Sequence, residues 1–228
     1  LTDTVGAWIA GCSTPEGRAL AGLGSPPRER SGLKSTGDGA LDRVMTNCAL
    51  TRMSEIDDIH LSSATTPGAL IIPAALTIGG SLALDRTAIA EAIVVGYEAM
   101  VRLGAALQGP AILYRGIWPT YFTAPFGVAA VAARLLGLTD RQVAHALGVA
   151  LILASPGVGH QSGATMSRWL AVGQAARDGG LAALSAQAGF TADVKIFEGD
   201  FFPSIYGLSP DFAALTEGLG ERSILADV

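Results

Sequence analysis

Residues 85–107 read DRTAIAEAIVVGYEAMVRLGAAL, and their spacing decides the fold class. Ile89, Ile93, Tyr97, Met100, Gly104 and Leu107 recur at intervals of four and three. That is the period of one helical face, not the two-residue alternation of a strand. Asp85 or Thr87 is placed to open this helix, and Glu98 and Arg102 form an i,i+4 pair in the favourable order on its outer face. The same signals recur on both sides. Thr14-Pro15-Glu16 reads as a cap, a first-position proline and a first-turn acid, starting a short helix toward Gly22. Further helices are predicted from Asp38 toward Met53 and from Phe126 to Leu136, the latter stopping at Gly137. Thr139-Asp140-Arg141-Gln142 spells a capping box, and its helix should run to about Ala154. Ser167 to Ala188 follows, with Gly189 just past its end. Ser209-Pro210-Asp211 opens a last short helix. Strand alternation is nearly absent, so the chain reads as all-α, a bundle-like helical domain spanning 1–228 with no repeat of fixed period. Glycines inside the helical stretches (Gly96, Gly104, Gly173, Gly179, Gly180) each cost up to about 1 kcal/mol against Ala. Their recurrence implies helices that approach backbone to backbone.

Composition narrows the function classes. Half of the 228 residues are hydrophobic, 15% are charged, and the mean hydropathy is +0.42, which excludes a disordered chain. The net charge is −5 and no run of Lys or Arg occurs, which argues against nucleic-acid binding. Cys12 and Cys48 sit in no metal-binding or redox spacing, so neither a disulfide framework nor a metal site is predicted. Two lone thiols and an opening without a leader pattern read as cytoplasmic. Gly68–Leu84 and Gln142–Ser167 carry no charge. The first contains Pro73 and the Gly79-Gly80 pair. The second is broken by Ser155-Pro156-Gly157 and carries His145, His160 and Gln161. Both read as buried core and not as membrane spans.

Three clusters carry candidate chemistry. The first is Glu55-Ile56-Asp57-Asp58-Ile59-His60, running on to Thr65-Thr66-Pro67-Gly68. Three carboxylates and an imidazole between apolar helices could hold a general acid or base; the same carboxylates could instead cap a solvated helix end. The second, Gly116-Ile117-Trp118-Pro119-Thr120-Tyr121, reads as a loop leading into the helix at Phe126. It could wall a pocket or plug the core. The third, Gly157-Val158-Gly159-His160-Gln161-Ser162-Gly163 with Arg168 beyond it, is a glycine-rich entry to a helix N-terminus. Free N–H groups and the helix dipole there favour an anion. No strand precedes it and no GxGxxG spacing occurs, so a nucleotide fold is not indicated.

Taken in order, these stretches resemble the MmgE/PrpD family. The resemblance runs from Asp3-Thr4-Val5-Gly6-Ala7-Trp8-Ile9-Ala10-Gly11 through Glu55-Ile56-Asp57-Asp58 and Pro67-Gly68-Ala69 with Ile72-Pro73-Ala74-Ala75-Leu76. It continues through Gly96-Tyr97-Glu98-Ala99-Met100, Gln142-Val143-Ala144-His145-Ala146-Leu147-Gly148 and Gly173-Gln174-Ala175-Ala176-Arg177-Asp178-Gly179. The family includes 2-methylcitrate dehydratase, cis-aconitate decarboxylase and iminodisuccinate epimerase. The resemblance implies a large helical domain with the active site between it and a smaller α/β lid, homodimers, a small-molecule substrate and no cofactor. It also implies that this chain covers the helical domain alone, starting inside an early family helix and ending about where the lid begins. The motif positions depart from the family pattern: Ile59 stands for a Thr, Thr66 and Trp118 for histidines, and Arg168 for a Lys. An Arg stays protonated, so it can bind a carboxylate but is a poor proton shuttle. The reading that results is a diverged lyase or isomerase, with a natural-product intermediate as a possible substrate. In it Glu55, Asp57, Asp58 and His160 orient or move protons, and His60, Thr66, Trp118, Thr120 and Arg168 line the substrate pocket. The alternative is a non-catalytic helical subunit whose partner supplies the lid.

Overall fold

The computed structural model describes residues 1–23, 39–155 and 165–228. Nine α-helices occur among them: α1 (Thr2–Ser13), α2 (Pro15–Leu23), α3 (Ala40–Met53), α4 (Gly68–Ser81), α5 (Arg86–Ala106), α6 (Gly109–Leu113), α7 (Pro119–Leu135), α8 (Asp140–Leu153) and α9 (Ser167–Gln187). The C-terminal segment, from residue 190 on, is built of short 3-10 and π turns. Among the described residues the β-type pairing is one isolated bridge, between His60 and Thr65. The fold class is all-α.

Helix α7 is the hub, packed against α4, α5, α8 and α9. One stripe of it (Tyr121, Ala124, Val128, Val131, Leu135) enters a core shared with α3, α4, α5 and α9. Another (Phe122, Phe126, Ala129) enters an aromatic core with Phe202 and residues of α8. Two cores on one helix explain why nearly every residue of α7 is buried. Close approach needs a missing side chain at Gly96 of α5. A Cβ there would lie 2.5 Å from Val131 Cγ2 and 2.7 Å from Ile71 Cγ2.

The start and stop signals are realised in the backbone. Thr14 Oγ1 accepts from Gly17 N–H at 2.9 Å, Asp85 accepts from Ala88 N–H at 2.8 Å, and both halves of the Thr139/Gln142 capping box form. Gly189, just after α9, has φ +96°. Three features differ from the sequence reading. The loop predicted at Gly116–Tyr121 is partly helix, because Pro119 takes the first position of α7, where its missing N–H is no loss. Ser209-Pro210-Asp211 opens only a 3-10 turn, Phe212–Leu215, capped by Asp211. The Glu98–Arg102 pair forms at 2.7 Å but is not on an outer face. Arg102 donates to the carbonyl of Glu217 at 2.7 Å, and Glu98 accepts from Ile224 N–H at 2.8 Å, so the C-terminal segment covers both. No helix among the described residues is long and apolar enough to cross a membrane.

Candidate active site

The ends of four helices bring the candidate residues together. Arg52 closes α3; Glu55 and Asp57 follow on the connection to α4; Thr66 precedes α4; Trp118, Thr120 and Tyr121 open α7; and Arg168 lies in the first turn of α9. Three of those four ends are N-termini, whose free N–H groups and dipoles favour negative charge.

Arg52 is buried and donates from Nη1 to Asp57 Oδ1 at 3.0 Å. The Asp57 side chain is only 3% exposed. Burial pushes its carboxyl above the usual carboxylate range, while Arg52 and the hydroxyl of Thr66 pull the other way. Glu55 bridges two guanidinium groups, with Oε1 3.6 Å from Arg52 Nη2 and Oε2 3.2 Å from Arg168 Nη2. The Arg168 guanidinium lies 4.0 Å above the ring of Trp169. Thr66 and Thr120 tie the starts of α4 and α7 together: Thr66 N–H donates to Thr120 Oγ1 at 3.1 Å, and the hydroxyls are 3.2 Å apart. Trp118 stacks on Tyr121 with ring centroids 4.8 Å apart. Burial keeps the Tyr121 phenol protonated, pushing it up to about 12, and Arg52, Arg168, Glu55 and Asp57 are the charges that act on it.

Four polar atoms in this cluster are buried without a hydrogen-bond partner among the described residues: Arg52 Nε, Asp57 Oδ2, Tyr121 Oη and Arg168 Nε. Folded proteins pair nearly all such groups, and leaving one unpaired costs about 1–3 kcal/mol. Two guanidinium N–H groups and a phenol are together a set of donors fit for a carboxylate, and one oxygen of Asp57 lies beside them without a partner among the described residues. No group of three or more His, Cys, Asp or Glu among the described residues is placed to hold a metal ion.

The pattern of the MmgE/PrpD N-terminal domain matches residues 1–205. The chain belongs to the MmgE/PrpD family. It is 32% identical over 167 residues to a cis-aconitate decarboxylase of Aspergillus terreus, covering 70% of this chain and 34% of that protein. A cis-aconitate decarboxylase-like protein of Aspergillus oryzae, oryM, is 27% identical over 164 residues, covering 68% of this chain and 33% of its own. The chain thus spans about a third of the length of these curated relatives.

Against the MmgE/PrpD sequence reading, the structure gathers Glu55, Asp57, Thr66, Trp118, Thr120 and Arg168 into one place. Two other residues are turned to different work. Asp58 is taken up by the fold: Oδ1 accepts from Gly68 N–H at 2.8 Å, at the start of α4, and Oδ2 accepts from Tyr97 Oη at 2.6 Å. With both oxygens engaged it is a structural anchor and not a free acid or base. His60 folds into its own turn, with Nδ1 2.9 Å from Ser63 Oγ, and burial lowers its pKa. His160 and the glycine-rich stretch around it lie outside the described residues. Arg52 belongs to none of the three sequence clusters, although it is a charge in phase with Val44 and Cys48 on the buried stripe of α3. Tyr121 closes the second cluster, but the sequence assigns it no role of its own.

Proposed function

We propose that this chain forms the helical part of a dehydratase- or decarboxylase-type lyase. Its substrate is a small organic acid with one carboxylate and an apolar portion. The buried donor set left open by Arg52, Tyr121 and Arg168, with the unpartnered Oδ2 of Asp57, carries this reading. Arg52 and Arg168 would hold the substrate carboxylate, since guanidinium groups stay charged and match its geometry. Glu55 and Asp57 already offset those two positive charges, which favours one added carboxylate over three. The Trp118–Tyr121 stack supplies an apolar wall. Both choices suit a natural-product intermediate better than a small polycarboxylate. Eliminating water requires a proton off the carbon next to the carboxyl and one onto the departing hydroxyl. Decarboxylation returns one proton to the carbon that loses carbon dioxide. Asp57, buried and poised toward protonation, is the group in the cluster suited to move that proton. Tyr121 stays protonated and serves as a hydrogen-bond donor.

The test is turnover. Carbon dioxide release and formation of a conjugated double bond should be followed for cis-aconitate and for a panel of unsaturated and β-hydroxy monocarboxylates. Asp57→Asn and Arg168→Ala should each lower kcat/KM at least about a hundredfold, the scale of one acid–base or charge-anchoring group, with helical circular dichroism unchanged. Undiminished rates in both variants would discard the assignment.

A further inference from the structure

Glu55 is the one member of the cluster whose position is hard to explain as structure alone. It sits at φ +52°, in the left-handed region that side chains bearing a Cβ seldom adopt. That backbone aims its carboxylate between Arg52 and Arg168, yet it meets them at 3.6 and 3.2 Å, longer than a well-formed charge-assisted bond. Its side chain is 43% exposed, whereas those of Arg52 and Arg168 are 8% and 16% exposed. Both guanidinium groups keep a buried Nε–H without an acceptor among the described residues. A carboxylate tethered through its own backbone thus reaches the rims of two buried cations and leaves their inner donors unused.

We propose that Glu55 is an internal stand-in for the substrate carboxylate. An incoming carboxylate displaces it from Arg52 and Arg168, takes the unused Nε–H donors as well, and sends Glu55 into the solvent it already half faces. The proposal rests on the reading of this cluster as a carboxylate site, and it assigns Glu55 a part in specificity instead of proton transfer. Asp57 cannot play that part, because it is almost fully buried and fixed to Arg52 at 3.0 Å. A neutral ligand gains nothing by displacing Glu55, since it cannot replace the lost charge. Only an acid can make the exchange, so the device selects carboxylates over their amides and esters and sets a threshold affinity for them.

The experiment is an NMR-detected titration of the whole chain with crotonate, a small unsaturated monocarboxylate, and with crotonamide as its uncharged counterpart. Removing an internal competitor held by partly exposed ion pairs should tighten crotonate binding about three- to tenfold in Glu55→Gln. Glu55→Asn, whose side chain tolerates the left-handed backbone, should do the same. Crotonamide should bind both proteins alike. In an Arg168→Ala background the gain from Glu55→Gln should shrink to less than twofold. Equal or weaker crotonate binding in both Glu55 variants, or no crotonate binding by any of the proteins, overturns the proposal. Tighter binding without turnover of any acid would leave it standing while removing the lyase reading.

Discussion

Asp57 Oδ2 accepts no hydrogen bond among the described residues, while its neighbour Asp58 accepts from Gly68 N–H and Tyr97 Oη at once. The sequence Glu55-Ile56-Asp57-Asp58 offers three carboxylates and no means of telling these parts apart, because the backbone turn that sends one inward and the next toward α4 is set by packing. The consequence can be measured. Asp58→Asn keeps the shape but presents a carbonyl and an amide where two donors arrive, so one donor loses its acceptor. It should cost about 1–3 kcal/mol in urea unfolding. Asp57→Asn should cost less than that, since burying the charged form of Asp57 is already unfavourable and the substitution removes the burden. A reversed order would mean that Asp57 is the anchor. Arg52 carries the same lesson from the other side. It was legible as a charge on a buried stripe, but only the fold shows that its Nε is buried without a partner among the described residues.

At the scale of the helix, local chemistry was legible nearly throughout. Caps at Thr14, Asp85 and Thr139 and the glycine after α9 mark real ends, because such signals act within a turn or two of their own position. What misled was Pro119. A proline reads equally as a loop residue or as the first residue of a helix, and the choice fell to the burial of Tyr121 and Phe122, two neighbours that enter different cores. The glycines divide in the same way. Gly96 and Gly80 look alike in sequence, yet a Cβ at Gly96 would press on Val131 and Ile71, whereas one at Gly80 meets nothing within 4 Å. Gly96→Ala should therefore destabilise by about 1–3 kcal/mol through overpacking between α5 and α7. Gly80→Ala should stabilise by up to about 1 kcal/mol by restoring helix propensity in α4. Thermal unfolding of the two variants checks the contrast, and equal shifts would show that α5 and α7 are not in backbone-close contact.

Across the whole molecule, the segment after α9 is what the sequence could least reveal, since its short turns have no period and its hydrogen-bonded anchors on α5 lie more than a hundred residues away. Leu208 and Phe202 plug the aromatic core, Asp211 N–H donates to the carbonyl of Ala106, and Ile224 and Leu225 pack on the main core. Between those apolar contacts, Glu98 and Arg102 work as a two-point latch. Arg102 has little freedom to leave: it is buried, paired to Glu98, and its Nη1 serves the carbonyl of Glu217. Arg102→Ala removes the donor to that carbonyl and leaves Glu98 without its counter-charge beneath the segment. Glu98→Gln keeps an acceptor for Ile224 N–H and turns its amide toward Arg102 Nε–H, so what it loses is the pair with Arg102 and not the segment's own hydrogen bond. Hydrogen exchange of residues 212–228 should accordingly quicken strongly in Arg102→Ala and weakly in Glu98→Gln, with α7 and α9 still protected. If the segment stays as protected as in the parent protein, its apolar anchors alone hold it down and the latch is dispensable. If α7 loses protection as well, the segment is part of the cooperative core and not a separately opening strap.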